Sequence, residues 1–281
     1  MWQFFGRFDR TEHLRALLSK KARSTSDVAV DAPAGPGRTS AMLKELGYSV
    51  LPFDLFPFRF KADGLECAKA DLTEGIPLGD CCADLVVCEE GIEHVSDQIA
   101  LMKEFNRILK TGGALLITTP NISCLRSRLS NLIYESEYMR RLPPSEFDAV
   151  WFSEGSRKAY YGHLFLLTHH KLTALARITG FDVVRRHPNK VNWPSVLLGL
   201  LWPLLFLLNL DAAFFEALRR RKLGFARMWS IYWELARLNL SPTVLFCKHT
   251  ILELRKRCNS DDALGATHQK FHDAMEATRT Q

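Results

Sequence analysis

Glu90, Glu93 and His94 are the residues whose types and spacing most directly suggest chemistry. They form an E-x-x-E-H pattern immediately after an apolar segment. His94 could take a proton from a hydroxyl while Glu90 or Glu93 orients its ring, and the same donor atoms could bind a divalent cation. In a third alternative, Glu93 and His94 only tether the loop before the next helix. We take the three residues as candidate catalytic residues and assign no metal site.

A glycine turn near the N-terminus is the second chemical feature. The apolar run Val28–Val30 ends at Asp31 and enters a turn with Gly35 and Gly37, where the backbone could approach a ligand closely. Asp31 suits a cationic amine better than a phosphate. Asp54 ends the next apolar run, where a carboxylate can accept both hydroxyls of a ribose. The absence of G-x-x-x-x-G-K-[ST] argues against a nucleoside triphosphate.

These residues follow apolar runs that alternate with helical patterns. We predict a helix over 39–47, a helix capped by Ser96 that reaches 109, and a helix over 169–179. Strands are predicted at 28–30, 48–53, 83–88, 114–119, 181–186 and 243–247. Such alternation predicts a parallel sheet with helices on both faces.

In this order the motifs resemble the class I S-adenosylmethionine-dependent methyltransferases, especially the group that includes quinone-biosynthesis O-methyltransferases. The resemblance covers about residues 25 to 186. It implies an α/β fold with a Rossmann-like seven-stranded sheet, an apolar helical insertion before the last strand, and S-adenosyl-L-methionine as cofactor.

The resemblance also implies which residues bind the cofactor. The family's acidic-Gly-x-Gly-x-Gly loop, which binds the methionine portion, maps onto residues 31–37, with Pro33 in place of the first glycine. Because proline fixes φ and lacks an N–H, we expect a different local form of the turn. The predicted cofactor-binding residues are Asp31, Ala32, Ala34, Gly35, Gly37, Asp54, Leu55, Asp71, Leu72 and Glu89.

The segment after residue 121 is where this family usually places its substrate lid. Four arginines there could engage a phosphate or lipid headgroups, or could be an ordinary solvated helix face. They are Arg126, Arg128, Arg140 and Arg141, near Tyr134, Tyr138 and Trp151. His163 and the pair His169–His170 could supply a further base or ligand, although packing or capping roles are more common for such histidines.

An uncharged run at 191–210 is long enough as a helix, about 30 Å, to cross a bilayer core. Because the strands on either side are expected to be neighbours in one sheet, both ends of the insertion must return to the same side. We therefore predict a shallow membrane-associated hairpin broken at Pro203, followed by an amphipathic helix that could lie in the interface. Its apolar face would consist of Phe225, Met228, Trp229, Tyr232, Leu235 and Ala236. The alternative is a buried helix pair covering the sheet.

Composition sets the remaining expectations. The net charge of +6 suits an anionic surface or a phosphorylated substrate without indicating nucleic acid, and seven cysteines without C-x-x-C spacing fit a reducing cytosol. Residues 1–10 lack the apolar stretch of a secretory signal. We divide the chain into a helical lid (1–27), a methyltransferase domain (28–186 and 243–257), the membrane-associating insertion (187–242) and a polar tail (258–281).

The leading functional hypothesis is O-methylation of a small-molecule or lipid-linked acceptor at the cytoplasmic leaflet of a membrane. RNA 2′-O-methylation is an alternative, but the positive residues are not gathered on one aromatic-interleaved surface, so a nucleic-acid partner is not expected. An inactive cofactor-binding membrane adaptor is the third hypothesis.

Overall fold

One seven-stranded sheet organises the chain, in the order β3-β2-β1-β4-β5-β9-β8, and β6 and β7 form a separate small hairpin. The computed structural model describes residues 10–19, 26–137, 142–152 and 159–279. The strands are β1 Val28–Asp31, β2 Ser49–Asp54, β3 Ala68–Lys69, β4 Ala83–Glu89, β5 Leu109–Pro120, β6 Val150–Phe152, β7 Ala159–Tyr161, β8 Phe181–Arg186 and β9 His249–Lys256. The helices are α1 Arg10–Leu18, α2 Arg38–Glu45, α3 Gln98–Ile108, α4 Leu125–Tyr134, α5 Glu146–Ala149, α6 His169–Ile178, α7 Trp193–Leu197, α8 Trp202–Arg219, α9 Phe225–Asn239, α10 Pro242–Phe246 and α11 Ser260–Arg279.

The pairing of the strands confirms the predicted Rossmann-like sheet. Strands β3, β2, β1, β4 and β5 are parallel, and β9 runs antiparallel between β5 and β8. Buried side chains pack on both faces, with Phe105 and Phe181 in one cluster and Leu14 and Leu43 in the other. In the sheet, β2 lies next to β1 on one side, and β4 lies next to β1 on the other side. This arrangement opens a crevice at the carboxyl ends of β1 and β4.

The start of α3 differs from the prediction by one residue. The side chain of Asp97, not Ser96, caps the helix by accepting a hydrogen bond from the N–H of Ala100 at 2.9 Å. Both residue types are good caps, so the pattern alone does not decide between adjacent positions.

The last strand lies later in the chain than predicted. Residues 243–247 do not form a strand, because Ser241 caps the short helix α10 and Pro242 occupies its first turn. This Ser-Pro start is a helix signal that the apolar content of the following residues obscures. The strand is instead β9, His249–Lys256. An insertion between neighbouring strands, as predicted, therefore separates β8 from β9.

The polar tail is helical. The helix α11 buries Ala263 and packs against α3 and α6. Its low overall hydrophobicity hides the few apolar residues that make this contact.

The apolar insertion forms a helical hairpin, but Pro203 does not break it. Pro203 lies in the first turn of α8, where a missing N–H costs nothing, and the chain is helical from Trp193 to Arg219 through a 3-10 turn at Leu198–Leu201. The hairpin turns at Arg221–Gly224 instead, and α9 packs back along α8. Among the described residues, Trp193–Arg219 is the one helical segment with the length and composition of a membrane span.

The hairpin does not form a buried cover on the sheet. Only 6% of the most apolar 18-residue stretch within Trp193–Arg219 is buried, and Leu200 is 89% exposed. The alternative of a buried helix pair is therefore wrong.

Asn239 fixes the hairpin to the rest of the molecule. It donates to Asn209 Oδ1 at 3.0 Å, and its own Oδ1 lies 3.2 Å from an Arg128 guanidinium nitrogen and 3.1 Å from His170 Nε2. Arg128, which the sequence made a candidate for a phosphate, is thus a half-buried anchor that also donates to Ser123 O. The turn Arg221–Leu223 contacts α11, so the hairpin lies along the domain. Tyr138, Arg140 and Arg141 lie outside the described residues.

Candidate functional site

A cavity of about 880 Å³ lies at the carboxyl ends of β1, β2 and β4, and we call it the first cavity. Of the residues predicted from the sequence, Gly35, Asp54, Leu55, Asp71, Leu72, Glu89, Glu90 and His94 line it. Five predicted residues do not line it: Asp31, Ala32, Ala34, Gly37 and Glu93. Ala34 lines a neighbouring cavity.

The glycine turn and Asp54 form one wall of the first cavity. Gly35 N–H donates to Asp54 Oδ2 at 2.7 Å, and Phe56 N–H donates to Oδ1 at 2.8 Å. A Cβ on Gly35 would meet no atom within 4 Å, so the backbone here faces open space. Each Asp54 oxygen keeps a lone pair for a further donor. This is the carboxylate to which the resemblance assigns the ribose hydroxyls.

Pro33 lies where the resemblance places the first glycine of the turn. The Ala32–Pro33 peptide is cis, and the proline ring packs against Gly91 in the loop after β4. A Cβ on Gly91 would lie 2.4 Å from Pro33 Cδ, so this close approach requires glycine.

Aromatic side chains that the sequence did not single out form the other wall. Phe56 and Tyr160 meet edge to face at 5.6 Å, and the Arg59 guanidinium lies 5.0 Å from the Phe56 ring centre. Tyr160 comes from β7, which lies in the segment predicted to hold the lid. Asp71 and Leu72, which the resemblance assigns to the adenine ring, also line this cavity.

Asp31 is buried behind the turn and does not face the first cavity. Ser40 of α2 donates to Asp31 Oδ2 at 2.5 Å, and Oδ1 has no partner among the described residues. Its predicted role of holding a cationic amine is therefore not supported, because the side chain at the end of β1 turns toward α2. Gly37 is likewise structural: it precedes α2 with φ 85°, and a Cβ there would lie 2.7 Å from Phe60.

Burial raises the pKa of Asp31 to about 7, and the charges of Glu89 and Asp54 add to this while Ser40 opposes it. The unfolded chain releases this proton near pH 4, whereas the folded chain keeps it to about pH 7. Stability linked to this proton is therefore full below the unfolded pKa and is lost as pH rises through the folded pKa, by up to about 1.4 kcal/mol per pH unit. We expect Asp31→Asn to remove this loss. Urea unfolding at pH 5 and pH 7 measures this. The free energy of unfolding of the variant, relative to that of the wild type, should be higher at pH 7 than at pH 5. Equal changes with pH in both proteins would contradict a raised pKa of Asp31.

Glu89 and Glu90 stand between the first cavity and a second one. Glu89 accepts hydrogen bonds from Arg10 Nε at 2.9 Å and Thr39 Oγ1 at 2.6 Å. Glu90 has φ 49°, a left-handed conformation uncommon for a residue with a side chain and often found at functional sites. Burial would raise the pKa of Glu90, but His249 at 3.4 Å and Arg10 outweigh it and lower the pKa. Glu90 is therefore a carboxylate at neutral pH.

His94 has a defined tautomer. Its Nδ1 lies 2.8 Å from Tyr161 O and 3.2 Å from Gly162 O, and two carbonyl oxygens can only accept. Nδ1 therefore carries the proton, and neutral His94 presents Nε2 as an acceptor. The sequence predicted that Glu90 or Glu93 would orient the ring, but the orienting groups are these backbone carbonyls. The reason is that the β6–β7 hairpin folds over the loop after β4.

Glu93 and His163 complete a cluster around His94. The rings of His94 and His163 are 5.1 Å apart, and one ligand atom each from Glu93, His94 and His163 lies within 4.8 Å of the others. Glu93 is buried, accepts from Thr119 Oγ1 at 2.9 Å and has no partner for Oε1 among the described residues. Burial and the charge of Glu90 raise the pKa of Glu93 to about 8.

The other two candidate histidines belong elsewhere. His169 is buried with Nε2 3.1 Å from Thr250 Oγ1, and His170 bonds Asn239. Both lie on α6 and line neither cavity, so they pack the fold.

The second cavity, of about 710 Å³, lies on the α1 and β9 side of Glu89 and Glu90. Sequence reasoning missed its basic residues, because they come from four separate segments. These residues are Arg10, Arg38, Lys190 and Lys248, together with His249.

Comparison with known proteins identifies the family. A family model described as a methyltransferase domain matches residues 6–186, more than half of the chain. The chain belongs to this methyltransferase family. Its cofactor is S-adenosyl-L-methionine, which agrees with the position of Asp54, the open backbone at Gly35 and the aromatic wall of the first cavity.

Individual relatives are distant. The methyltransferase is 23% identical over 203 residues to the malonyl-[acyl-carrier protein] O-methyltransferase of Pseudescherichia vulneris. The match covers 66% of this chain and 79% of that protein. It is 32% identical over 124 residues to the ubiquinone biosynthesis O-methyltransferase of Xanthomonas oryzae pv. oryzae, covering 41% and 51%. Several other curated relatives are matched over only 37% to 51% of their length. A solved S-adenosylmethionine dependent methyltransferase from Mesorhizobium loti is 16% identical, with 87% and 96% coverage and a TM-score of 0.48.

Proposed function

We propose that this methyltransferase O-methylates a hydroxyl of a small molecule or lipid-linked sugar held at the cytoplasmic leaflet of a membrane. The observation that carries the proposal is the exposed apolar face of the α8–α9 hairpin. One relative is named as a ubiquinone biosynthesis O-methyltransferase, which supports a hydroxyl acceptor.

His94 supplies the base for this reaction. The cofactor brings a methyl group already activated by its sulfonium, so the protein needs chiefly to position the hydroxyl and remove its proton. With Nδ1 held by Tyr161 O and Gly162 O, Nε2 accepts the hydroxyl proton as the oxygen attacks. Imidazolium formed in this step keeps its Nδ1 hydrogen bonds.

A divalent cation is the second candidate for this cluster. The buried Oε1 of Glu93 has no partner among the described residues. The Glu93 carboxylate also offers one oxygen within 4.8 Å of a ring nitrogen of His94 and of His163. A cation bound there would polarise the acceptor hydroxyl in place of a base. Chelation of divalent cations separates the two candidates.

The hairpin supports docking parallel to a membrane surface. Its exposed apolar side chains include Leu197, Leu200, Leu204, Leu207, Leu208 and Phe215. Both ends of the hairpin contact the domain, and its turn contacts α11, so an in-plane helix pair fits better than a crossing. Exposed basic residues 219–222 at the turn suit anionic headgroups.

The membrane part of the proposal is tested by flotation with vesicles that contain anionic phospholipid. We expect the wild type to float and Leu200→Ser/Leu204→Ser/Leu207→Ser to lose roughly 100-fold in partitioning, since each leucine contributes about 1 kcal/mol when partly buried in lipid. The matched control Ile99→Ser/Val184→Ser/Leu264→Ser changes side chains that are also exposed, but away from the hairpin. A wild type that does not float, or a hairpin variant that floats like the control, would refute docking.

The acceptor part is tested separately with labelled S-adenosyl-L-methionine and a membrane lipid extract. We expect label in an organic-extractable product with a base-stable methyl ether. Label only in RNA added to a parallel reaction would favour RNA methylation instead.

A further inference from the structure

We propose that the second cavity is a subsite for a phosphate or diphosphate group carried by the methyl acceptor. The inference rests on the proposed function and narrows its substrate class. Four cationic side chains line this cavity: Arg10 of α1, Arg38 of α2, Lys190 after β8 and Lys248 before β9. Glu89 and Glu90 are the carboxylates that line it, so its arginines and lysines exceed its carboxylates by two charges.

The positive charges of this cavity are unevenly compensated. Arg10 already pairs with Glu89 at 2.9 Å and Glu90 at 3.4 Å. Within the described ranges, neither Arg38, Lys190 nor Lys248 forms an ion pair. Arg38 lies at the start of α2, whose N-terminal N–H groups also favour an anion.

The two lysines are held side by side by the backbone. Lys248 N–H donates to Lys190 O at 2.8 Å, and the next pair, Val191 and Cys247, forms an antiparallel bridge. Like charges on neighbouring strand positions repel each other, which disfavours this pairing unless an anion lies between them. A dianionic phosphate matches both the excess charge and the geometry.

The cofactor's own carboxylate does not account for all of these residues. It carries a single negative charge next to an ammonium group. Arg10 and Arg38, beside the Gly35–Pro36 turn, are placed to meet it, whereas Lys190 and Lys248 lie on the β8–β9 side of the cavity. The lysines are therefore the specific feature of the proposed subsite.

The position of the subsite links the membrane face to the reacting groups. Lys190 lies three residues before Trp193, where the apolar hairpin begins. The cavity shares Gly35, Pro36, Glu89 and Glu90 with the first cavity, which contains His94. A lipid whose tail follows the hairpin would place its phosphate at the lysines and its hydroxyl-bearing part toward His94.

The test uses the full-length protein without membranes, so that failure of docking cannot mimic failure of the subsite. Calorimetry at low salt measures inorganic pyrophosphate, geranyl diphosphate and S-adenosyl-L-methionine in turn. We expect Lys190→Gln/Lys248→Gln to weaken binding of both phosphate probes by roughly tenfold or more, because two charge-assisted contacts are lost. Affinity for S-adenosyl-L-methionine should stay within about twofold.

A charge-matched variant, Lys103→Gln/Lys171→Gln, controls for net charge and should bind all three like the wild type. Stronger binding of geranyl diphosphate than of pyrophosphate would assign the phosphate to a lipid, and equal binding would assign it to the phosphate group alone. The proposal is overturned if the wild type binds neither phosphate probe, or if the lysine variant loses S-adenosyl-L-methionine and not pyrophosphate.

Discussion

Replacing His94 by asparagine is expected to lower kcat by about 10²- to 10⁴-fold and to leave affinity for S-adenosyl-L-methionine almost unchanged. The asparagine amide can still donate to Tyr161 O, which His94 Nδ1 reaches at 2.8 Å. It cannot accept a proton where Nε2 does. The change therefore removes the base while keeping the contact that orders the β6–β7 hairpin. Single-turnover methyl transfer measures the rate, and calorimetry measures the cofactor affinity.

The control is His268→Asn, which changes an exposed histidine on α11. Chelation with EDTA is measured alongside it. An unaffected wild type assigns His94 as the base, whereas loss of activity that Mg²⁺ or Mn²⁺ restores assigns the cluster of Glu93, His94 and His163 to a cation. A His94→Asn enzyme with wild-type kcat would contradict both candidates.

Replacing Asp54 by alanine is expected to weaken S-adenosyl-L-methionine binding by at least about 100-fold. Asp54 accepts from the N–H groups of Gly35 and Phe56 at 2.7 and 2.8 Å, and it lines the first cavity. The resemblance assigns the ribose hydroxyls to this carboxylate. Hydrogen bonds to a charged group contribute about 1.5 to 3 kcal/mol each, so losing two ribose contacts is worth this factor or more. Equilibrium dialysis with labelled cofactor gives the dissociation constant directly.

Thermal unfolding without cofactor shows whether Asp54→Ala still folds, since the carboxylate also holds the glycine turn. Asp54→Asn keeps an acceptor for Phe56 N–H and serves as the milder variant, and Asp63→Ala changes an exposed aspartate as the control. If folded Asp54 variants bind the cofactor like the wild type, the ribose lies elsewhere. A wild type that binds the cofactor but never turns it over would instead support the adaptor hypothesis.

The sequence predicted the sheet well because its signals are local. An apolar run of strand length that ends in a carboxylate or glycine needs no distant partner to be recognised, and the positions of Asp54 and Glu89 at strand ends follow from it. The pattern failed at residues 243–247, where apolar content and the Ser241-Pro242 helix start conflict and only packing decides.

The site was predicted in part for the same reason. Asp54, Glu90 and His94 lie at the cavity because strand ends converge at one edge of a parallel sheet. Asp31 also ends a strand, yet its side chain turns inward to Ser40, and strand position alone does not specify that direction.

By itself, the sequence determined which candidate site residues follow each strand, the cofactor class, and the presence of a long apolar insertion. Tertiary structure alone decided that Tyr161 and Gly162 fix the His94 tautomer, and that Arg10, Arg38, Lys190 and Lys248 share one cavity. It also decided that the hairpin turns after Arg220 and not at Pro203, exposing its apolar face. The physical reason is range: local propensity and spacing act over a few residues, whereas these contacts join segments up to 238 residues apart, from Arg10 to Lys248.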